Sequence, residues 1–320
     1  MLLESLFESL PVLAILLSFL VILCFLSYSY SSMFGKAFMK DPIFPHCILP
    51  IIVSILLVAV FCLPDNLKEQ YVLRGDLEYA HSHCITLISS HYIHMDIPHL
   101  AGNLAAFLFI NFAILVLWLF DLQTKAEKDK LVKRTYIVHL VNLLLLPPVI
   151  SECALRYPFF AYSYGFSGIV SAYLGYLYAL FLATRPVLLD LKAGTRRILL
   201  LSVLGISLCP TPWVGGSLVF LICVALLLLD VRKTGKQREV LKELLITIVV
   251  VGVVCYLIEM GIPLRIIYEN VNINIGAHYL GLLCGSLINA FIIVEGKIWL
   301  LALLLLLVLA LVLVSPLPTV

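Results

Sequence analysis

The chain has 320 residues, 62% of them hydrophobic and only 12% charged, and its mean hydropathy is +1.11. Soluble domains carry about 25% charged residues, so a soluble globular protein is excluded. A formal net charge of +2 is also too small for a nucleic-acid binder.

A helix needs roughly 20 apolar residues to cross a bilayer core, and the apolar sequence here suffices for about ten such helices. The expected fold class is all-α: a polytopic transmembrane helical bundle forming a single membrane domain over 1–320. Apolar runs bounded by charge predict spans near 10–30, 47–63, 99–120, 136–152, 165–184, 244–260, 276–294 and 298–314. The first run begins with Glu4 and Glu8 and has no basic leader, so it reads as a retained span and not a cleaved signal. The 35 residues from Pro64 to Pro98 form a long loop that mixes charges with Tyr71, Leu73, Leu77, Tyr79 and Ile85. Loops of that length are functional or lie on the membrane surface. The 32 uncharged residues from 198 to 229 are broken by Pro210, Pro212, Gly215 and Gly216, which predicts a hairpin of two short spans.

Lysine and arginine in short loops set orientation. Alternating crossings from an outer N-terminus put 17 of the 21 basic residues on one side, provided the 198–229 segment crosses an even number of times. That makes ten spans with the basic side cytoplasmic, and an integral, multi-pass protein expected in the plasma membrane. The nine cysteines show neither a C-x-x-C site nor a secreted framework, and most read as packing residues. Cys62 and Cys84 flank the long loop and could pair only if that loop faced an oxidising side.

Polar side chains inside apolar spans are costly and therefore candidates for function. Three spans open with them: His94-Met-Asp-Ile-Pro-His99-Leu-Ala-Gly-Asn103, then Gly165-Phe-Ser167-Gly168, then Gly276-Ala-His278-Tyr-Leu-Gly281. Asn103 lies 18 residues before Asp121, Ser167 lies 18 before Arg185, and His278 lies 17 before Glu295. At 1.5 Å per residue, all three sit roughly 26 Å above the cytoplasmic boundary, just beneath the outer surface. Serine is a weak nucleophile until a base takes its proton, and neutral imidazole can do so near pH 7. The oxyanion formed on attack needs preorganised donors, which Asn103, His99 and the Ser167 backbone N–H would supply. Small-residue stripes, Gly168-Ala172-Gly175-Ala179 and Ala277-Gly281-Gly285, predict close approach of the serine and histidine helices.

His94-x4-His99-x3-Asn103, Gly165-x-Ser167-Gly168 and Ala277-His278-x2-Gly281-x3-Gly285, in that order, resemble the signatures of the rhomboid family of intramembrane serine proteases. The resemblance covers about 47–184 and 244–294. It implies a six-helix core with Ser167 as nucleophile and His278 as base, Asn103 and His99 at the oxyanion, and the 64–98 loop partly in the membrane surface. The spans at 10–30, 198–229 and 298–314 are additions to that core. The family's Trp-Arg pair in the first long loop is missing, no Gly-x-x-x-Glu follows Asn103, and Ser171 stands where some members have an aromatic ring.

The function expected is an intramembrane serine endopeptidase that cuts transmembrane or juxtamembrane segments of membrane proteins, with no cofactor and no metal. Its partners would be those substrates and the lipid bilayer, not nucleic acid. The alternative is a catalytically silent relative that binds or escorts membrane proteins; a transporter is weaker, because acidic residues mid-span and inverted repeats are lacking. His81, His83, His91, His94 and His99 invite a metal reading, but no H-E-x-x-H is present. His94 reads as shaping the loop beside the site, His139 as structural, and Glu152 and Glu259 as interfacial residues near outer helix ends.

Overall fold

The run Leu49–Phe61 forms helix α1, with Pro50 at its second position. A π-helical turn, Phe44–Ile48, leads into it. Helix α2 spans Ile97–Asp121, and Asp96 caps its start, its Oδ1 accepting the His99 N–H at 2.7 Å. Helix α3, Lys125–Leu140, runs through a π turn at Val141–Leu145 into α4, Leu146–Leu155. The sequence explains that irregularity. Pro147 cannot donate to the carbonyl four residues earlier, on Leu143, and the Tyr92 hydroxyl donates to that carbonyl instead. Helices α5, Ser167–Thr184, and α6, Ile275–Ala290, follow among the described residues.

This computed structural model describes residues 44–83, 85–121, 125–155, 162–184, 275–290 and 292–293, with single helical positions at Ala225, Arg238 and Lys242. The described part is mostly helical, and Phe44–Phe61, Ile97–Trp118 and Arg134–Glu152 are long and apolar enough to cross a membrane. Ser167–Phe181 and Leu280–Ala290 are shorter apolar helices. Apart from Ala225, the spans expected at 10–30, 198–229, 244–260 and 298–314 lie outside the described residues, as do Cys84 and Glu259; Cys62 is an exposed free thiol.

Helix α5 occupies the centre, with Ile169, Tyr173, Tyr176 and Leu180 fully buried. Helices α1 and α2 expose apolar stripes, Ile51-Ile55-Val58 and Phe109-Phe112, which a lipid environment would cover. Ring contacts fix the directions. Phe107 of α2 stands edge-on to Phe166 and Tyr173 at 5.1 and 4.9 Å, and Trp118, further along α2, lies 6.3 Å from His46, which in turn stacks 6.0 Å from Tyr176. So α2 and α5 run parallel. Helix α3 runs the other way, because its Thr135 bonds the Tyr176 hydroxyl at 3.0 Å and its later His139 bonds Tyr173 at 2.6 Å. The structural role read for His139 is thus a polar tie between α3 and α5.

Helices α5 and α6 make the closest contact. A Cβ added to Gly281 would collide with the Gly168 carbonyl and lie 3.2 Å from the Ser171 Cβ; one added to Gly285 would collide with the Ala172 backbone, and one on Gly175 with the Ser286 amide. Residue numbers rise together along both helices, so the pair is parallel and the two expected small-residue stripes meet. Asn289 of α6 also donates to Asn142 of the π turn at 3.0 Å, adding one interhelical bond worth about 0.6–2 kcal/mol.

Among the described residues two short strands pair. Strand β1, Leu73–Arg74 in the long loop, pairs antiparallel with β2, Tyr162–Ser163, with Leu73 opposite Ser163. The loop is thereby fastened to the segment that leads into α5.

If the two backbones touch, Gly281→Ala and Gly285→Ala will each lower the thermal midpoint of the detergent-solubilised protein, through overpacking of about 1–3 kcal/mol. Gly168→Ala, whose new Cβ would meet its nearest atom at 3.3 Å, will cost less. Equal effects at all three positions would show that the helices stand further apart.

Candidate active site

The site is built where α2, α5 and α6 begin. Gly165 has φ +109°, a left-handed conformation that residues with a Cβ rarely adopt, and a Cβ there would also lie 2.7 Å from His99 Nε2. Glycine is therefore needed twice over, once for the turn and once to let the His99 ring lie against the chain. The Gly165 N–H donates to the Ser90 carbonyl at 2.9 Å, and the Phe166 N–H donates to His94 Nε2 at 3.3 Å. The next N–H groups, on Ser167 and Gly168, open α5 and have no acceptor within the helix.

His94 is the hub. It is fully buried, and its Nε2 accepts both the Phe166 N–H and the Asn103 amide Nδ2, the latter at 2.9 Å. Burial, with the neighbouring charges of His99 and Lys68 adding to it against the opposing Tyr92 carbonyl, lowers the His94 pKa to about 3. The ring is neutral near pH 7, as a double acceptor at Nε2 must be. His99 lies edge-on to His94 at 5.1 Å and faces Tyr164 at 5.9 Å.

A second histidine flanks the serine. His91 Nε2–H reaches the Pro147 carbonyl at 3.0 Å and Ser151 Oγ at 2.9 Å, while Ser151 itself donates to the Leu87 carbonyl at 2.8 Å. The other edge of the His91 ring approaches Gly168, the residue after Ser167. Burial holds its pKa down to about 4, with the Pro147 carbonyl pulling the other way.

Ser167 is buried at the first position of α5, and His278 is half-buried at the fourth position of α6. His278 lies one turn before Gly281 and seven residues before Gly285, hence on the face of α6 that meets α5. The four expected residues, Ser167, His278, Asn103 and His99, therefore gather at one end of three parallel helices. Among the described residues no hydrogen bond joins the Ser167 hydroxyl to His278. Asn103 is fully buried, and one of its two N–H groups is committed to His94.

What residue patterns alone did not disclose is the pairing of His94 with Phe166, the His91–Ser151 contact, and Lys68, whose side chain is buried beside His94. Among the described residues no group of three His, Cys, Asp or Glu side chains is disposed to hold a metal ion. Compared with protein-family models, curated proteins and solved structures, the chain matches none.

Removing the hub acceptor leaves two buried donors unsatisfied, at about 1–3 kcal/mol each. His94→Leu will lower the thermal midpoint well below that of His94→Gln, whose carbonyl retains an acceptor. Equal midpoints would mean that neither donor depends on His94.

Proposed function

We propose that the chain is an intramembrane serine endopeptidase of the rhomboid type, cutting transmembrane or juxtamembrane segments of other membrane proteins. The observation that carries this reading is the parallel contact of α5 and α6 through Gly168, Ala172, Gly175, Gly281 and Gly285, where backbones meet, with Ser167 and His278 near the start of the facing stripes. Closeness matters because neither side chain is long: two ordinary helices 8–10 Å apart would separate the hydroxyl from the imidazole.

In this reading His278 takes the Ser167 proton as Oγ attacks the scissile carbonyl, then returns it to the leaving amine, and water cleaves the acyl-enzyme. The free N–H groups of Ser167 and Gly168, the remaining Asn103 N–H and His99 face the developing oxyanion. No cofactor enters the chemistry. The remaining features of the proposal are a six-helix core with about four further spans, a multi-pass chain in the plasma membrane, and a site near the outer face. A substrate helix hides its carbonyls in its own hydrogen bonds, so segments containing Gly or Pro, which unwind easily, are the preferred substrates.

One observation favours the second reading, a catalytically silent relative that escorts membrane proteins: the missing hydrogen bond between Ser167 and His278 among the described residues. Catalytic hydrogen bonds often tighten only when substrate binds, so the two readings separate by reactivity. A serine-directed fluorophosphonate will label the purified full-length protein, fail to label Ser167→Ala, and label His278→Ala far more slowly, with no effect of chelators. Labelling or cleavage that survives in Ser167→Ala removes the nucleophile assignment, and an inert wild type favours the silent relative.

Asn103 gives an independent check. Asn103→Ala will reduce turnover of a model transmembrane substrate by about 10- to 1000-fold, the range for losing an oxyanion donor. An unaltered rate would confine Asn103 to holding His94.

A further inference from the structure

Lys68 is a lysine in an unusual place. It lies in the long loop, where an ammonium would ordinarily extend into water, yet it is only 3% exposed. A buried ammonium needs partners; one of them, Asp65, belongs to its own helical turn, and the other two lie at opposite ends of the loop. Its Nζ pairs with Asp65 Oδ1 at 2.7 Å, donates to the Phe61 carbonyl at 3.2 Å and to the His94 carbonyl at 3.4 Å, and sits 4.7 Å over the Phe61 ring. Phe61 is the last residue of α1, and His94 stands three residues before α2 begins. One ammonium thus joins the two ends of the loop.

We propose that Lys68 is a positioning residue for the Ser167 site, clamping the two ends of the 62–93 loop and, through the His94 main chain, fixing the imidazole that holds Asn103 and the Phe166 N–H. This rests on the endopeptidase reading only for its effect on turnover; the clamp itself is a statement about the loop. The path is short. Lys68 holds the His94 carbonyl, His94 Nε2 holds the amide preceding Ser167, and the same nitrogen holds Asn103. Release of the carbonyl lets the ring shift, and displacement of the Phe166 N–H moves the first residue of α5 with it. The charged and titratable groups around His94 are Lys68 and Asp65 from the loop, Asp96 at the α2 cap and His99 on α2. Lys68 supplies the cation among them, and its charge also opposes protonation of the hub.

The test uses the full-length protein and the variants Lys68→Met and Lys68→Arg. Methionine keeps the length and apolar stem but has no donors; arginine keeps the charge and donors. For Lys68→Met, kcat on a model transmembrane substrate will fall about 10- to 100-fold, as misplacement of a catalytic group by an ångström or less does. KM will stay near wild type, and Lys68→Arg will restore most of kcat together with whatever thermal midpoint Lys68→Met loses with its donors. In the same variant, hydrogen–deuterium exchange will quicken in peptides covering Gly165 and Phe166. That readout does not require the protein to be a protease: if Ser167→Ala retains cleavage but exchange still quickens, the endopeptidase reading fails and the clamp stands. Unchanged exchange in Lys68→Met overturns the clamp, as does a parallel fall of kcat and midpoint that arginine does not relieve.

Discussion

Everything in this molecule depends on how closely two helices approach. Inside an apolar bundle surrounded by lipid, burial of more hydrocarbon offers little drive for helices to associate, and contact must come from dispersion between backbones that nothing holds apart. Gly168, Ala172 and Gly175 on α5 and Gly281 and Gly285 on α6 leave that space, to the point where a single methyl group would strike a carbonyl. The contact makes the two helices parallel and in register. That register also sets Ser167 and His278 near the same end of the two helices.

The second constraint is that buried polar groups need partners. The α5 start is irregular: a left-handed Gly165 followed by N–H groups with no helical acceptor. Its satisfaction comes from elsewhere in the chain, from the Ser90 carbonyl and the His94 ring. Because His94 also holds Asn103, the 90–103 segment and the start of α5 become one polar cluster. A dry environment makes each of those bonds matter more than it would in water, and makes a vacant acceptor costly. The same logic explains the π-helical turn between α3 and α4, where a proline frees a carbonyl and a tyrosine takes it.

Much of this was legible from residues alone. Apolar runs bounded by charge predicted spans around 47–63, 99–120, 136–152, 165–184 and 276–294; helices lie there to within a few residues, except that α3 begins earlier, at Lys125, and the first three runs are long and apolar enough to cross a membrane. The early start has a simple cause: Lys125 to Arg134 is polar, so it carries no apolar signal, yet it contains neither Gly nor Pro to stop a helix. Counting residues to the first charge put Asn103, Ser167 and His278 at one depth, and the parallel course of α2, α5 and α6 brings their starts to one end. The pairing of β1 with β2 was not legible, because two residues are too few for a pattern of alternation.

Composition and periodicity determined by themselves that the chain is apolar and that its described part is mostly helical, where most of the described helices lie, and which residue types stand at their starts. Those are one-dimensional properties, written in hydrophobicity and in the local chemistry of Pro, Gly and Asp. The tertiary structure decided which nitrogen of which histidine meets which amide, that Lys68 is buried and binds the carbonyls of Phe61 and His94, and that His91 rests on Ser151. Such contacts join residues up to 72 positions apart. They depend on the rotation of each helix about its axis and on the path of the loop, quantities that no local run of residues encodes.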